Sequence, residues 1–223
     1  MAGPERESVR AIVLVAGVAA VAAAIMSVSH EISVERIAEN QRQRLLQALH
    51  EVLGGTAHDN DLMRDRVFAM DVDLLGSPQP VEVHLASRDG APVAAVFAPV
   101  APRGFNGPIS LLVGIDAGGT VTGVRVTGHR ETPGLGDRVE IDKSAWITGF
   151  DGRGLSDPPL SGWSVVRDGG EFDAFTGATV TPRAVVRAVR DTLIFFQQNK
   201  DGLFSQLPVS APGGDPDAAQ VLR

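Results

Sequence analysis

An uncharged apolar run over residues 11–29 limits what this chain can fold into more than any other feature of its sequence. The run reads AIVLVAGVAAVAAAIMSVS and approaches the ~20 residues that a helix needs to cross the hydrocarbon layer of a bilayer. A cleaved signal peptide is the alternative, because Ser27-Val28-Ser29 loosely resembles a cleavage site. The apolar core of a signal peptide is usually only about 7–15 residues long, so the run favours an uncleaved transmembrane helix.

The rest of the sequence divides into a stalk, one folded domain and a tail. Its 223 residues are enough for one domain of ordinary size with attachments. The predicted segments are an N-terminal 1–10, a transmembrane helix over 11–29, a helical stalk over 30–60, a folded domain over 61–204 and a tail over 205–223. The tail is predicted to be flexible because it has few apolar side chains to bury.

Two helices are predicted outside the apolar run. Residues 34–53 carry apolar side chains at helical spacing, and Gly54-Gly55 is a plausible stop. In the second helix, Thr181 can cap the N-terminus and Pro182 fits the first helical position. Its apolar face would be lined by Val185, Val189 and Leu193.

Alternating apolar residues predict antiparallel hairpins in the folded domain. The predicted strands cover 68–72, 81–85, 93–97, 109–115, 121–126 and 163–166. The turns between paired strands would be Asp89-Gly90, 116–119 and, after the last strand, 167–170. Several hairpins with few helices predict an α+β domain.

Charge and cysteine content exclude several classes of function. The formal net charge of -7 argues against a general nucleic-acid binder, because neutralising phosphates needs an excess of Lys and Arg. There is no cysteine, which excludes thiolate iron–sulfur ligation, a Cys-type zinc site, a thiol nucleophile and a disulfide framework. The five histidines are scattered, so no metal site is predicted. Redox chemistry in this chain would therefore need an organic cofactor.

The stretch from Asp173 to Pro182 is the most informative part of the folded domain. Small residues and hydroxyls crowd a turn just before a predicted helix, where free backbone N–H groups and the helix dipole favour a phosphate. Gly177 and Ala178 would let a bulky ligand approach the backbone closely. The stretch lacks the lysine and the glycine spacing of a Walker loop. A plain loop with hydroxyl caps is the alternative that these residues leave open.

The same stretch, FDAFTGATVTP, resembles the Asp-x-x-(Ser/Thr)-Gly-Ala-Thr signature of covalent FMN-binding domains. GPISLLVGID, GVRVTGHRETPGLGD and SAWITGF extend the resemblance, over about 105–196, to the family of G subunits of Rnf (Rsx) ion-translocating electron-transport complexes. The resemblance implies an α+β FMN-binding domain whose FMN forms a phosphoester with Thr179, installed by a flavin transferase. The other cofactor-binding residues implied in this stretch are Asp173, Thr176, Gly177, Ala178 and Thr181. Where the family leads us to expect lysine, the chain reads Val165-Val166-Arg167, so no flavin contact is carried over to that stretch.

The loop over 129–136 is a second candidate for contact with a flavin. Pro133 and two glycines make a rigid turn that exposes backbone amides and one apolar side chain. Such a loop could lie against the isoalloxazine ring, and its amides could stabilise charge on reduced flavin. The residues predicted to bind the cofactor here are Thr132, Gly134, Leu135 and Gly136. An ordinary surface turn is the alternative. His129 and Glu131 could form an acid–base pair, but an electron carrier needs none, so no catalytic residue is predicted.

The resemblance also implies a location and partners. Residues 1–10 would face the cytoplasm, the single span would lie in the inner membrane, and the FMN domain would be periplasmic. The chain would relay electrons in a complex that exchanges them between NADH and ferredoxin. It has neither a Rossmann fingerprint nor iron–sulfur ligands, so other Rnf subunits would do those jobs. Two alternatives stay open: a stand-alone sensor or binding module with a purely structural loop, and the related FMN-carrying C component of the sodium-pumping NADH:quinone oxidoreductase.

Overall fold

The computed structural model describes residues 39–207, together with 15–17, 19 and 26 near the N-terminus. The chain divides into two units, Met1–Leu45 and Leu46–Arg223, and the sheet and the site both belong to the second. No helix among the described residues is long and apolar enough to cross a bilayer. Most of the predicted span over 11–29 lies outside those residues, as do 1–10 and most of the predicted tail.

The first helix, α1, covers 39–52 of the described residues, and the prediction of a helix there is confirmed. The predicted positions 34–38 lie outside the described part of the chain. Gly54 has a φ of 58°, a left-handed conformation that ends the helix as expected. The carbonyl of Val52 accepts a hydrogen bond from Thr122 Oγ1 at 2.7 Å, so the end of α1 is fastened to the sheet.

The sheet of the second unit has six strands, all paired antiparallel. They are β1 (Arg66–Ala69), β2 (Val81–Arg88), β3 (Ala91–Phe97), β4 (Val100–Ala101), β5 (Ile109–Asp116) and β6 (Val121–Gly128). Their order is β1-β2-β3-β5-β4, and β6 pairs with β5. A short helix, α2 (Val72–Leu75), follows β1, and a long one, α3 (Val180–Phe204), ends the described fold. The predicted α+β class is confirmed.

Two of the predicted hairpins are confirmed. The β2–β3 turn is Asp89-Gly90, with φ values of 52° and 75°, and two positive φ values are what a two-residue hairpin of this twist requires. The β5–β6 turn over 116–119 is closed by Asp116 Oδ1, which accepts from the N–H of Thr120 at 2.8 Å. Local turn chemistry was therefore enough to predict both.

The predicted first strand is only partly right. It ends at Ala69, because the Asp71 carboxylate accepts from the N–H groups of Asp73 and Leu74 and starts α2 instead. Phe68, on β1, is exposed.

The predicted third hairpin is wrong. Val166–Asp168 is a 3-10 helix, and Val165 pairs with Phe172 in a single parallel bridge. The alternation around 163–166 arises because Trp163 and Val165 are buried, with Trp163 packed against Phe172 at 5.0 Å between ring centroids. Burial in an aromatic cluster, and not strand pairing, explains the pattern.

Helix α3 packs on the sheet and completes the core. Phe97 of β3 meets both Phe195 and Phe196 edge to face, at about 6 Å between ring centroids. The predicted apolar face is confirmed, since its three predicted members are buried: Val185, Val189 and Leu193. The body of the domain is therefore an antiparallel sheet with one long helix against it, and the N-terminal end of that helix belongs to the site.

Candidate functional site

The informative stretch forms a tight turn that leads directly into α3. The N–H of Ala178 donates to the carbonyl of Phe175 at 3.0 Å, and Gly177 has a φ of 84°. A positive φ at the third position of such a turn defines a type II turn and calls for glycine. The turn delivers Thr179 to the N-cap position of α3, half-buried.

Aromatic packing holds the residues that lead into the 175–178 turn. Phe175 is buried, and the ring of Trp146 meets it edge-on at 5.2 Å. The Arg138 guanidinium lies over the Phe175 ring at 4.8 Å from its centroid. Trp146 Nε1 donates to the carbonyl of Asp173 at 2.8 Å. The backbone carbonyl of Asp173 is therefore held by Trp146, although Asp173 is an exposed residue.

The first turn of α3 leaves backbone donors without a side-chain cap. Thr179 has helical dihedral angles of -67° and -24°, and its side chain makes no capping hydrogen bond. The N–H groups of a first helical turn have no partner within the helix, and they carry the positive end of the helix dipole. Pro182 falls in the same turn, where its missing N–H is tolerated. A phosphate on the Thr179 hydroxyl would lie next to these donors.

The predicted helix cap is wrong. Helix α3 begins at Val180, so Pro182 is at the third helical position and not the first. Thr181 is fully buried, and its hydroxyl donates to Glu131 Oε2. A buried carboxylate requires a donor, and this requirement takes the Thr181 hydroxyl away from the helix end.

The structure brings the two predicted loops together. The Cδ2 atom of Leu135 lies 3.7 Å from the position that a Cβ on Gly177 would occupy. Leu135 is 43% exposed, so an apolar surface lies beside the small residues of the turn. The N–H groups of Leu135 and Gly136 both donate to the carbonyl of Thr132 at 3.1 Å, and Gly134 has a φ of 78°.

The exposure of the other predicted residues differs widely. Thr176 and Gly177 are exposed, as are Gly134 and Leu135. The half-buried residues are Thr132, Ala178 and Thr179, and the buried ones are Gly136 and Thr181. No heavy atom lies within 4 Å of a Cβ built on Gly134, so the loop is open on that side. The two buried residues support the site from inside, while the others line its surface.

Glu131 has a larger structural role than the sequence indicated. It is 5% exposed, and its Oε1 accepts from the N–H of Asn106 at 3.0 Å. The ring of His129 accepts from the N–H of Glu131 through Nδ1 at 3.0 Å. That acceptance leaves the ring proton on Nε2, which faces Glu140 Oε1 at 2.6 Å. The His129 and Glu131 side chains, considered as an acid–base pair, therefore do not bind each other: the His129 ring contacts the Glu140 carboxylate, and the Glu131 carboxylate accepts from Asn106 and Thr181.

Asp137 is a second residue that sequence reasoning missed. It is 8% exposed, and its Oδ1 has no hydrogen-bond partner among the described residues. A buried carboxylate oxygen without a donor is uncommon in a folded protein and calls for an explanation. Asp137 follows Gly136 directly, so this unpaired acceptor lies at the end of the 129–136 loop.

The turn over 167–170 also reaches the start of α3. The Arg183 guanidinium donates to both carboxylate oxygens of Asp168, at 2.5 and 2.8 Å. This hydrogen bond lowers the pKa of Asp168 below its ordinary value. Asp168 directly follows the 165–167 stretch from which no flavin contact was carried over, and its partner Arg183 lies one helical turn beyond Thr179.

Comparison with known proteins assigns the class. The model of the FMN-binding domain family matches residues 104–194, which include both loops of the site and the first half of α3. The chain thus contains an FMN-binding domain. An open glycine loop and a helix N-terminus beside Thr179 fit a ligand that ends in a phosphate.

Relatives identify the family more closely. A Shewanella loihica protein is 43% identical over 183 residues, 82% of this chain and 86% of its own. A Shewanella amazonensis protein is 42% identical over 201 residues, which are 90% of this chain and 93% of its own. A Pseudomonas aeruginosa protein is 42% identical over 212 residues, which are 95% of this chain and 98% of its own. All three are named as the G subunit of an ion-translocating oxidoreductase complex, and at this identity and coverage the chain belongs to that family. The resemblance inferred from the sequence motifs is confirmed.

Proposed function

We propose that this chain is the electron-relay subunit of a membrane-bound ion-translocating NADH/ferredoxin oxidoreductase and carries FMN esterified to Thr179. The observation that carries the proposal is the position of Thr179, half-buried at the N-terminus of α3 and preceded by the Gly177 turn. FMN supplies electron transfer when bound, and the protein supplies position and electrostatics. Partners would be the other subunits of the complex, the flavin transferase and the membrane.

Burial favours Thr179 over its neighbours as the acceptor. Thr181 is fully buried and its hydroxyl is engaged by Glu131, so a transferase would have no access to it. Thr176 is exposed, but it lies on the far side of the Gly177 turn from α3. The Thr179 hydroxyl makes no capping hydrogen bond, and it lies beside the free N–H groups at the start of α3.

Leu135 and Val180 are suited to contact with the flavin ring. They are 43% and 40% exposed, and they flank the attachment point on two different elements. A Cβ on Gly177 would lie in van der Waals range of Leu135 Cδ2, so the bare backbone of Gly177 and the Leu135 side chain form one surface against which a planar group could lie. Thr132, Gly134 and Gly136 would shape this contact, while Asp173, Thr176 and Ala178 would surround the phosphate.

A covalent bond suits a carrier outside the cytoplasm. Even nanomolar affinity, about -12 kcal/mol, lets a flavin dissociate and dilute away. An ester makes that loss irrelevant. We place residues 11–29 as an inner-membrane anchor with 1–10 in the cytoplasm, 30–60 as a stalk, 61–204 as the periplasmic FMN domain and 205–223 as a flexible tail. Protection of Thr179-containing peptides from protease in intact spheroplasts would contradict this orientation.

The attachment is tested by intact mass and in-gel fluorescence. The full chain is expressed with the flavin transferase, and Thr179→Ala is compared with Thr176→Ala. We expect Thr179→Ala to remove the mass of one FMN and all flavin fluorescence from the denatured band. Thr176→Ala should keep the covalent flavin, although at reduced yield. A Thr179→Ala chain that retains covalent flavin would refute the assignment and make Thr176 the candidate.

A further inference from the structure

The carboxylate of Glu131 holds together three segments that are distant in sequence. Its Oε1 accepts from the N–H of Asn106 at 3.0 Å, and its Oε2 accepts from the hydroxyl of Thr181. Its own N–H donates to His129 Nδ1 at 3.0 Å. Glu131 is 5% exposed and Thr181 is 0% exposed, so the link between the loop and α3 is protected from solvent.

Neighbouring backbone packs closely around this carboxylate. A Cβ added to Gly136 would lie 2.7 Å from Glu131 Oε2 and 3.0 Å from Thr181 Oγ1. A Cβ added to Gly104 would lie 2.9 Å from Glu131 Oε1. A Cβ on Gly104 would also lie 2.3 Å from the carbonyl oxygen of Gly107, and a Cβ on Gly136 would lie 2.9 Å from Glu131 Cβ. Both distances are shorter than real Cβ contacts, so both positions require glycine. The tight fit keeps the orientation of the carboxylate fixed.

This link sets the geometry of both halves of the proposed flavin site. Thr181 lies two residues after Thr179, so the hydrogen bond to Glu131 holds the first turn of α3 in place. Glu131 also belongs to the 129–136 loop, which carries Leu135 to Gly177. The acceptor hydroxyl and the apolar contact are therefore positioned by one buried group.

We propose that Glu131 is a positioning residue for flavin attachment: through Thr181 it holds Thr179, and through its own loop it holds Leu135, in the geometry that the transfer reaction requires. The inference rests on the proposed function. In that reaction the Thr179 oxygen forms a bond to the FMN phosphorus of a flavin dinucleotide donor. The phosphorus–oxygen bond to the nucleotide leaving group breaks, and the hydroxyl proton passes to a base of the transferase. Glu131 is not that base, because both its oxygens already accept from protein donors.

A matched set of variants separates positioning from plain stability. Glu131→Ala removes both hydrogen bonds, and Thr181→Val removes one partner. Glu131→Gln can still accept from the N–H of Asn106 and can donate to Thr181 Oγ1. Thr192→Val is the control, because Thr192 is another fully buried threonine on α3 whose hydroxyl donates to the Ala188 carbonyl at 2.7 Å. It lies about 16 Å further along the helix at 1.5 Å per residue.

The experiment measures the initial rate of flavin transfer to the full-length chain, with purified transferase and flavin dinucleotide as the donor. Melting temperatures of the flavin-free chains are recorded alongside. We expect Glu131→Ala and Thr181→Val to slow transfer by roughly tenfold to a hundredfold, since a misplacement of about 1 Å can have that effect. The double variant should be no slower than Glu131→Ala, because both changes break one link. Glu131→Gln should recover most of the rate.

The outcomes are distinguishable. If Thr181→Val transfers flavin as fast as Thr192→Val of similar melting temperature, the inference is overturned. It is also overturned if Glu131→Gln, while folded, is as slow as Glu131→Ala. In either case loss of covalent flavin in Thr179→Ala would leave the proposed function intact. Retention of covalent flavin in Thr179→Ala would instead remove the proposed function itself.

Discussion

The body of α3 and the region around its first turn differ in the contacts that they make. Along the body, apolar side chains such as Val189 and Leu193 are buried against the sheet. At the first turn, the buried Thr181 hydroxyl donates to a carboxylate of another segment, Glu131 of the 129–136 loop, whereas the buried Thr192 of the body donates within its own helix. Two apolar side chains lie exposed beside this contact, Val180 on the helix at 40% and Leu135 on the loop at 43%.

This difference indicates what each region contributes to the fold. Burial of apolar surface is the main favourable contribution to folding, so the body of the helix supplies stability. A buried carboxylate brings a desolvation penalty that its hydrogen bonds only offset, and exposed apolar side chains gain nothing from burial. The end of the helix therefore contributes less to the stability of the fold than its body does.

The largest effect on stability is therefore expected in the body. Leu193→Ala removes a leucine that is 1% exposed, and truncation of a buried leucine lowers the free energy of unfolding by about 2–5 kcal/mol. The yield of covalent flavin should be unchanged at temperatures where the variant is folded. Urea unfolding of the flavin-free chain and intact mass after incubation with transferase test both points. Reduced flavin yield in the folded variant would contradict the division between body and first turn.

Sequence reasoning predicted the body far better than the site. Hairpin turns such as Asp89-Gly90 and the apolar face of α3 depend on local patterns, and the structure has both. The predicted helix start is wrong because the Thr181 hydroxyl donates to the Glu131 carboxylate, which lies fifty positions earlier in the chain. No local sequence pattern encodes such a contact. The third hairpin failed for a similar reason, since Trp163 and Val165 alternate to fill an aromatic cluster.

The candidate site was predictable only as a set of surface residues. The glycines and small residues of the turn, together with Leu135, were found because exposed loops with unusual composition are visible in sequence. The buried carboxylates were not, because a glutamate or an aspartate in a loop is normally a solvated residue. Burial of Glu131 and Asp137 depends on packing between segments, which the sequence does not reveal.

Substitution of the exposed Leu135 should have the opposite pattern to Leu193→Ala: a small change in stability and a change in the flavin. Leu135→Asp changes a partly exposed residue, so we expect its stability to change by only about 0.5 kcal/mol. A negative charge beside the ring disfavours the reduced flavin and should lower its midpoint potential by tens of millivolts, since about 59 mV per electron corresponds to a tenfold change. The ester should stay intact. Leu160→Asp is the control, because Leu160 is also exposed, at 54%. It lines a different groove, together with Leu193 and Lys200 of α3, which lie beyond the first turn of that helix. Equal potentials in both variants would show that Leu135 does not contact the flavin.

The smallest effect is expected from the ion pair between Asp168 and Arg183, which tests whether surface charge contributes to either region. The hydrogen bond from Arg183 lowers the pKa of Asp168. The unfolded chain therefore binds more protons than the native one between the lowered pKa and about 3.9, the ordinary value of an aspartate. Stability from this pair is fully present above that value and is lost as the pH falls through the lowered pKa.

Asp168→Asn should therefore flatten the acid limb of the stability curve and leave stability at neutral pH nearly unchanged, because the pair is exposed and screened by solvent. Urea unfolding between pH 2 and 7 at low ionic strength measures the difference, and added salt should reduce it. Asp142→Asn is the control, since Asp142 is an exposed carboxyl that makes no ion pair with a described residue. Identical acid limbs for the wild-type chain and Asp168→Asn would mean that the pair contributes nothing to folding. In that case the role of Arg183 beside the first turn of α3 would have to be sought in the flavin-loaded protein, by comparing the flavin midpoint potential of Arg183→Gln with that of the wild-type chain.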